Sequence, residues 1–401
     1  MSIALLVSED GEPPEEQARE PLPRITREGD ELRAGGRRFT AFGFNYGCGA
    51  QLSQTLAFFN HPNRGCRARF RTHLERTKEL GANTLRVYLE LFDFVRRRDG
   101  GVKPRRKGIR GLSFVLDEAE RQGIYLDLTG NLVWAKSRGW YDALPARDRW
   151  QVQARFWRRI ARESADSPAV LAYELTSEPV VPAKDPGSWY GGELGGYNFV
   201  QYIVRRLGDR DPRRVARSWI RRLSRAIRRE DRRHLIGIGL AGFVQVGGPF
   251  GPANVADLLD VLFVHEYPGP SAAAESIDRM RKFATYGRPV IVGETAALRC
   301  DLADQEEFLL GGREYVDGYL TFFDGRRPSG VRIESSYDRF YRDNLAQFVE
   351  LRSELLGETS VPRVSAAGPS RPLAAERSNA PANVTARVLA GTPEICGSRF
   401  R

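Results

Sequence analysis

Eight short runs rich in β-branched and aromatic residues, each followed by a longer segment of helical character, constrain this chain more than any other feature. They fall at 40–45, 83–89, 124–129, 170–176, 234–240, 260–265, 289–294 and 317–323. Near-continuous apolar runs are what strands buried on both faces require. Their alternation with helical segments is the signature of a parallel sheet. Apolar stripes mark the intervening helices: Val215, Trp219, Ile220, Leu223 and Ile227 within 213–230, and Trp150, Trp157 and Ile160 within 147–163. Eight strand–helix units make a barrel of about 250 residues, and 401 residues leave room for long loops. The predicted fold class is therefore α/β, a (β/α)8 TIM barrel.

Composition shifts set the expected boundaries. Residues 1–24, rich in Pro, Glu and Arg, read as a flexible leader. A single barrel domain is expected over 25–357, opening with a hairpin in which Ile25–Arg33 and Arg37–Phe44 flank a turn at Ala34-Gly35-Gly36. Residues 358–401 lack periodicity and are expected to form a disordered tail. Two connections exceed the usual length. One is 179–212 after strand 4, the long β4–α4 loop; the other follows strand 2 and carries a dense basic segment, Arg96–Arg110. Long ordered loops in barrels build the active-site face.

Several function classes recede on composition. No apolar run approaches the ~20 residues of a membrane span, so no membrane partner is expected. The first residues lack a basic leader and a long apolar stretch, which makes a cytoplasmic location the expectation. The net charge of +11 comes almost wholly from arginine, with only six lysines. Those arginines alternate with carboxylates along helices, the pattern of solvated faces rather than of a groove tracking phosphates, so nucleic acid is not the expected partner. Cys48, Cys66, Cys300 and Cys396 show no metal-ligand spacing and read as free thiols. No metal or cofactor is called for.

In a barrel, chemistry belongs at the C-terminal ends of the strands. Strand 4 ends in Thr176-Ser177-Glu178-Pro179 and strand 7 in Gly293-Glu294-Thr295, placing two glutamates across the barrel mouth. Two carboxylates flanking one bond, one protonated and one ionised, are what a retaining glycosidase needs. Strand 2 supplies Arg86, strand 3 ends at Thr129, and strand 6 ends in His265-Glu266-Tyr267.

These motifs together resemble the cellulase-like glycosidases, glycoside hydrolase family 5 and its clan. Val170–Pro179 is similar to their strand 4 signature, and Arg86 within Asn83–Val87 to their strand 2 arginine. His265-Glu266-Tyr267 resembles the strand 6 His-x-Tyr pair, Pro289–Glu294 the strand 7 nucleophile motif, and Gly43-Phe44-Asn45 strand 1. The resemblance spans roughly 25–356 in the same order. It implies a retaining hydrolase of a β-linked glycan (glucan, mannan or related) acting by double displacement on an oligosaccharide or polysaccharide. Glu178 is then the acid/base and Glu294 the nucleophile. Arg86 supports Glu294, while His265 and Tyr267 orient nucleophile and sugar.

Departures are equally specific. Ser177 stands where the family has an asparagine for the sugar 2-OH, Thr129 where it has a histidine, and Phe322 or Phe323 where it has a tryptophan platform. They leave two further readings open: a non-catalytic glycan-binding barrel, or a basic protein that binds an anionic polymer through Arg96–Arg110. Trp134, Trp140 and Trp189 follow strands 3 and 4 and are candidates to stack on a sugar face; Trp157 and Trp219 belong to the core. Strict alternation would turn Glu266 outward, without a role, and Glu90 and Asp127 lack the paired motif.

Overall fold

The computed structural model describes residues 21–46, 64–131, 139–194 and 197–358. Eight parallel strands close into a barrel: β1 (Ala41–Tyr46), β2 (Thr84–Glu90), β3 (Tyr125–Asn131), β4 (Val170–Ser177), β5 (Leu235–Leu240), β6 (Leu262–His265), β7 (Val290–Thr295) and β8 (Gly318–Thr321). Each strand pairs with its sequence neighbour, and β8 returns to β1 with Gly318 opposite Ala41. Every residue of β1, β2, β4, β5 and β7 is buried, which is why these runs are mostly apolar instead of strictly alternating. The TIM barrel expected from the eight runs is the observed fold.

Around it lie α1 (Arg64–Glu79), α2 (Arg106–Gln122), α3 (Ala146–Ser164), α4 (Pro212–Arg228), α5 (Pro252–Val255), α6 (Ala273–Ala284), α7 (Leu302–Gly312) and α8 (Ser336–Glu350). The start of α4 is set locally. Asp211 caps it by accepting from the Arg213 backbone, and Pro212 occupies the first turn, where its missing N–H costs nothing. All five residues of its apolar stripe are buried. Trp157 and Trp219 are fully buried, and each indole N–H is satisfied, by Leu175 O at 3.1 Å and by Gln153 Oε1 at 2.8 Å. Burial of a large apolar side chain contributes roughly 1.5–3 kcal/mol, and satisfied indoles keep that gain.

The N-terminal segment plugs the bottom of the barrel. Instead of one hairpin it makes two tight turns, linking Ile25–Glu28, Glu31–Ala34 and Arg37–Arg38 into an antiparallel sheet. Gly35 and Gly36 both have positive φ, 56° and 79°, as a two-residue type I′ turn demands. Ile25, Leu32 and Phe39 cluster with Tyr125, Leu171 and Phe263 at this end. The last leader residues dock here too. Arg24 donates to Ser167 O at 3.2 Å, and Tyr125 donates its hydroxyl to Pro23 O at 2.5 Å.

Both long connections are more regular than expected. After β4, Pro179–Val180, Tyr190–Leu194 and Tyr197–Tyr202 form a small three-stranded sheet. After β2, the basic segment is a short helix (Leu91–Phe94), a hairpin pairing Val95–Arg98 with Gly101–Pro104, and the first turns of α2. Cys66 is disulfide-bonded, against the expectation of four free thiols, while Cys300 is free. No helix of the described residues is long and apolar enough to cross a membrane.

Candidate active site

One guanidinium organises the upper barrel. Arg86 and Tyr88, two apart on β2, both face inward, and Arg86 is completely buried. Its Nε and Nη2 donate to the two oxygens of Glu174 on β4 at 3.0 and 2.6 Å. Its Nη1 donates to Asn45 Oδ1 at 2.9 Å, to the Tyr88 hydroxyl at 2.6 Å, and to Glu294 Oε1. Asp127, opposite Arg86 on β3, comes within 3.5 Å of Nε. A buried cation persists only where anions and hydrogen bonds surround it. Here three carboxyl groups do, and burial, followed by the charge of Glu174, pushes Asp127 well above the usual carboxylate range.

Glu294, at the end of β7, is the most constrained carboxylate. Oε1 accepts from Arg86 and from the Tyr88 hydroxyl at 2.7 Å; Oε2 accepts from the Tyr267 hydroxyl at 2.8 Å. Burial works to raise its pKa, but the charges of His265 and Arg86 and the two tyrosine bonds outweigh it and hold Glu294 well below its ordinary value. Glu178 differs. Burial is the dominant influence and raises its pKa despite the pairing of Oε1 with His265 Nδ1 at 2.8 Å. Its Oε2 has no hydrogen-bond partner among the described residues. The surroundings thereby push the pKa values of two carboxyls in one site apart.

Backbone strain aims Glu178. Its φ of 48° lies in the left-handed region, costly for a non-glycine residue. The conformation is pinned on both sides: Glu178 N donates to Gly239 O at 3.0 Å, and Gln201 N donates to Glu178 O at 3.2 Å. Gln201 belongs to the small sheet after β4, so that long connection braces the carboxyl at the mouth. Gly239 itself is required, because a Cβ there would lie 2.4 Å from Glu174 Oε1 and 3.0 Å from His265 Nε2.

Glu178, His265 and Glu294 each place one polar atom within 4.8 Å of the others, a set that could ligate a metal ion. Both oxygens of Glu294 are, however, already engaged by Arg86, Tyr88 and Tyr267. The guanidinium supplies the positive charge that an ion would bring.

The pair opens into a cavity of about 590 Å³, in the range of a small-molecule pocket. Ser177, Tyr267, Phe322, Phe243 and Glu266 line it beside Glu178 and Glu294. Phe243, on the loop after β5, is 61% exposed, the one large hydrophobic side chain so exposed among the described residues. Thus Glu178, Glu294, Arg86, Ser177, His265, Tyr267 and Asn45 converge as the sequence predicted. Asn45 acts from beneath, donating Nδ2 to Gly293 O and Thr321 O at 2.9 Å each while accepting from Arg86.

Other expected residues lie elsewhere. Thr129 is fully buried next to Asp127, 3.4 Å from its Oδ2, and does not line the cavity. Phe323 is fully buried against Phe340 and Tyr341; Phe322 is the β8 aromatic that reaches the cavity. Trp189 bonds Asp142 O at 2.9 Å and packs on the Arg149 guanidinium, bordering a different cleft. Trp140 packs on Phe92 and Tyr141. Trp134 lies outside the described residues.

Three participants escaped the sequence reading. Tyr88 and Glu174 carried a usable signal, since Tyr88 follows Arg86 by two on one strand and Glu174 pairs opposite Thr129 on an inward-facing register. Glu266 did not. β6 ends at His265 after a register irregularity, so alternation no longer governs the next residue. Glu266 is 3% exposed in the cavity wall, accepts from Ser276 Oγ at 2.7 Å, and sits 3.2 Å from Arg279 Nε.

No protein-family model matches the chain, and no curated protein sequence does. Solved structures do match. An exo-β-1,4-mannosidase from Opitutaceae bacterium strain TAV5 is 19% identical with a TM-score of 0.58, the match covering 82% of this chain. It takes in 62% of that enzyme's length, so this chain spans less than two thirds of it. The GH5_18 protein from Streptomyces cattleya, solved with GlcNAc, is 19% identical over 81% of this chain and 82% of its own, at a TM-score of 0.53. An endo-1,4-β-mannanase from Eisenia fetida is 14% identical over 84% and 96%, at 0.56. At such identities the likeness is one of architecture: this chain shares the barrel fold of these proteins.

Proposed function

We propose that this protein hydrolyses a β-glycosidic bond with retention of configuration. The observation that carries the reading is the close approach of Glu178 and Glu294, whose oxygens lie within 4.8 Å of each other and of His265 Nδ1, with opposite pKa displacements. Retaining enzymes hold their carboxyl groups about 5–5.5 Å apart, and inverting enzymes about 6.5–9.5 Å apart to admit a water. The short separation favours direct attack.

Glu294, ionised, attacks the anomeric carbon while Glu178 delivers its proton to the departing oxygen, leaving a glycosyl ester on Glu294. Glu178, now a carboxylate, takes a proton from water, and that water displaces Glu294 and regenerates both groups. Arg86, Tyr88 and Tyr267 hold the nucleophile's oxygens, and His265 orients Glu178. Ser177, smaller than the family's asparagine, still lines the cavity and offers its hydroxyl to the sugar. Three of the structurally similar proteins are named as mannosidase or mannanase, so β-mannosides are the first substrates to test.

The test is intact-protein mass spectrometry after incubation with 2-fluoro-β-mannosyl and 2-fluoro-β-glucosyl fluorides. A sugar adduct mapping to Glu294 is expected, together with loss of labelling in Glu294→Gln. An adduct on another residue, or turnover with inversion, would overturn the assignment.

A further inference from the structure

The hairpin after β2 carries a charge pattern that its own fold does not explain. Its register sets Arg96 directly opposite Lys103, with Arg98 two residues along the same strand. Like charges facing each other across strands are destabilising. Several arginines elsewhere are partnered: Arg158 and Arg162 both bond Glu230, and Arg217 bonds Asp257. Here Arg96, Arg97, Lys103, Arg106, Lys107 and Arg110 are exposed and make no side-chain hydrogen bond or ion pair among the described residues. The segment keeps six uncompensated cations together, on a rigid hairpin joined to the first turns of α2.

We propose that this surface binds an anionic polysaccharide and holds it beside the barrel mouth. The hairpin follows the C-terminal end of β2, the end at which Tyr88 and Glu294 meet, and lies outside the cavity lining. Between Val95 and Arg110 there is no Phe, Tyr or Trp. The stacking platforms that single-stranded nucleic acids use are therefore missing from this segment. The choice of a polysaccharide over other polyanions rests on the glycosidase reading; the binding surface itself does not.

The probe is fluorescently labelled heparin, a sulfated uronate polymer, measured by anisotropy with the full chain from 50 to 300 mM salt, beside a DNA duplex of equal charge. R96Q/R97Q/K103Q/R106Q should lose about tenfold or more in affinity and flatten the log–log salt slope by about 3, near 0.7 per contact removed. R214Q/R221Q/R225Q/R229Q on α4 and its C-cap, with the same change in net charge, should keep both. Equal losses in the two variants, or a DNA duplex bound more tightly than heparin, would overturn the proposal. Glu294→Gln should bind heparin like the wild type. Heparin binding that survives while no fluoro-sugar labels Glu294 would remove the glycosidase reading and leave the anion-binding surface standing.

Discussion

Removing the Tyr267 hydroxyl isolates one of the forces that keep Glu294 ionised. Among the described residues Tyr267 alone donates to Oε2, at 2.8 Å, whereas Oε1 accepts from both Arg86 and Tyr88. Tyr267→Phe deletes one oxygen and leaves the ring in place against Phe322. A hydrogen bond to a charged group contributes about 1.5–3 kcal/mol, and about 1.36 kcal/mol corresponds to one pH unit. The Glu294 pKa, depressed in the wild type, should therefore climb by roughly one to two pH units. The proposed mechanism requires Glu294 ionised, so the acid limb of kcat/KM moves towards neutral pH by the same amount, and activity near pH 4 falls more than activity near pH 7. Stability follows the same sign. A depressed folded pKa contributes stability above the unfolded glutamate value of about 4.3 that is lost as pH falls through the folded value. The variant should be less stable at neutral pH and differ little in strong acid. The assay is a pH–rate profile on an activated aryl β-glycoside with thermal unfolding at each pH. An unmoved acid limb with an intact fold would refute the claim that this hydroxyl holds the nucleophile ionised.

Further outcomes follow from other parts of the molecule. Glu178→Gln should slow hydrolysis of substrates with poor leaving groups by about 10²–10⁴-fold, the usual share of general acid catalysis, sparing activated aryl glycosides and abolishing the basic limb of the profile. Equal losses on both substrate types would place Glu178 outside proton transfer. Glu174→Leu removes the two-pronged partner of a fully buried cation and should cost about 3–5 kcal/mol in denaturant unfolding; a cost under about 1 kcal/mol would show that Asp127 takes over. Burial pushes the Cys300 thiol up to about 12, so Cys300 should alkylate slowly at pH 8, and Cys66 only after reduction. Disulfides persist in oxidising compartments, so the state of Cys66 in protein taken from cells tests the expected cytoplasmic location.

The sequence alone determined the architecture and singled out the two glutamates at its mouth. Eight apolar runs at regular spacing admit few solutions other than a closed parallel barrel, and topology then places Glu178 and Glu294 at its mouth. Strands buried on both faces reveal themselves in composition, so this part was legible. Which atoms meet was decided by tertiary structure. Phe322 and Phe323 are adjacent in sequence, yet only one reaches the cavity, because β8 ends at Thr321 and the chain turns there. Glu266 sits just past an irregularity in β6, where alternation gives no guidance. Trp189 looked like a sugar platform by its place in a long loop, but that loop folds into a sheet that pulls the ring onto Arg149. The pKa displacements belong to the same class. Glu178 and Glu294 are the same residue type, and what separates them is Arg86 and Tyr88 from β2 with His265 and Tyr267 from the end of β6. Such electrostatic differences depend on three-dimensional distance and burial, which a residue's neighbours in sequence do not encode.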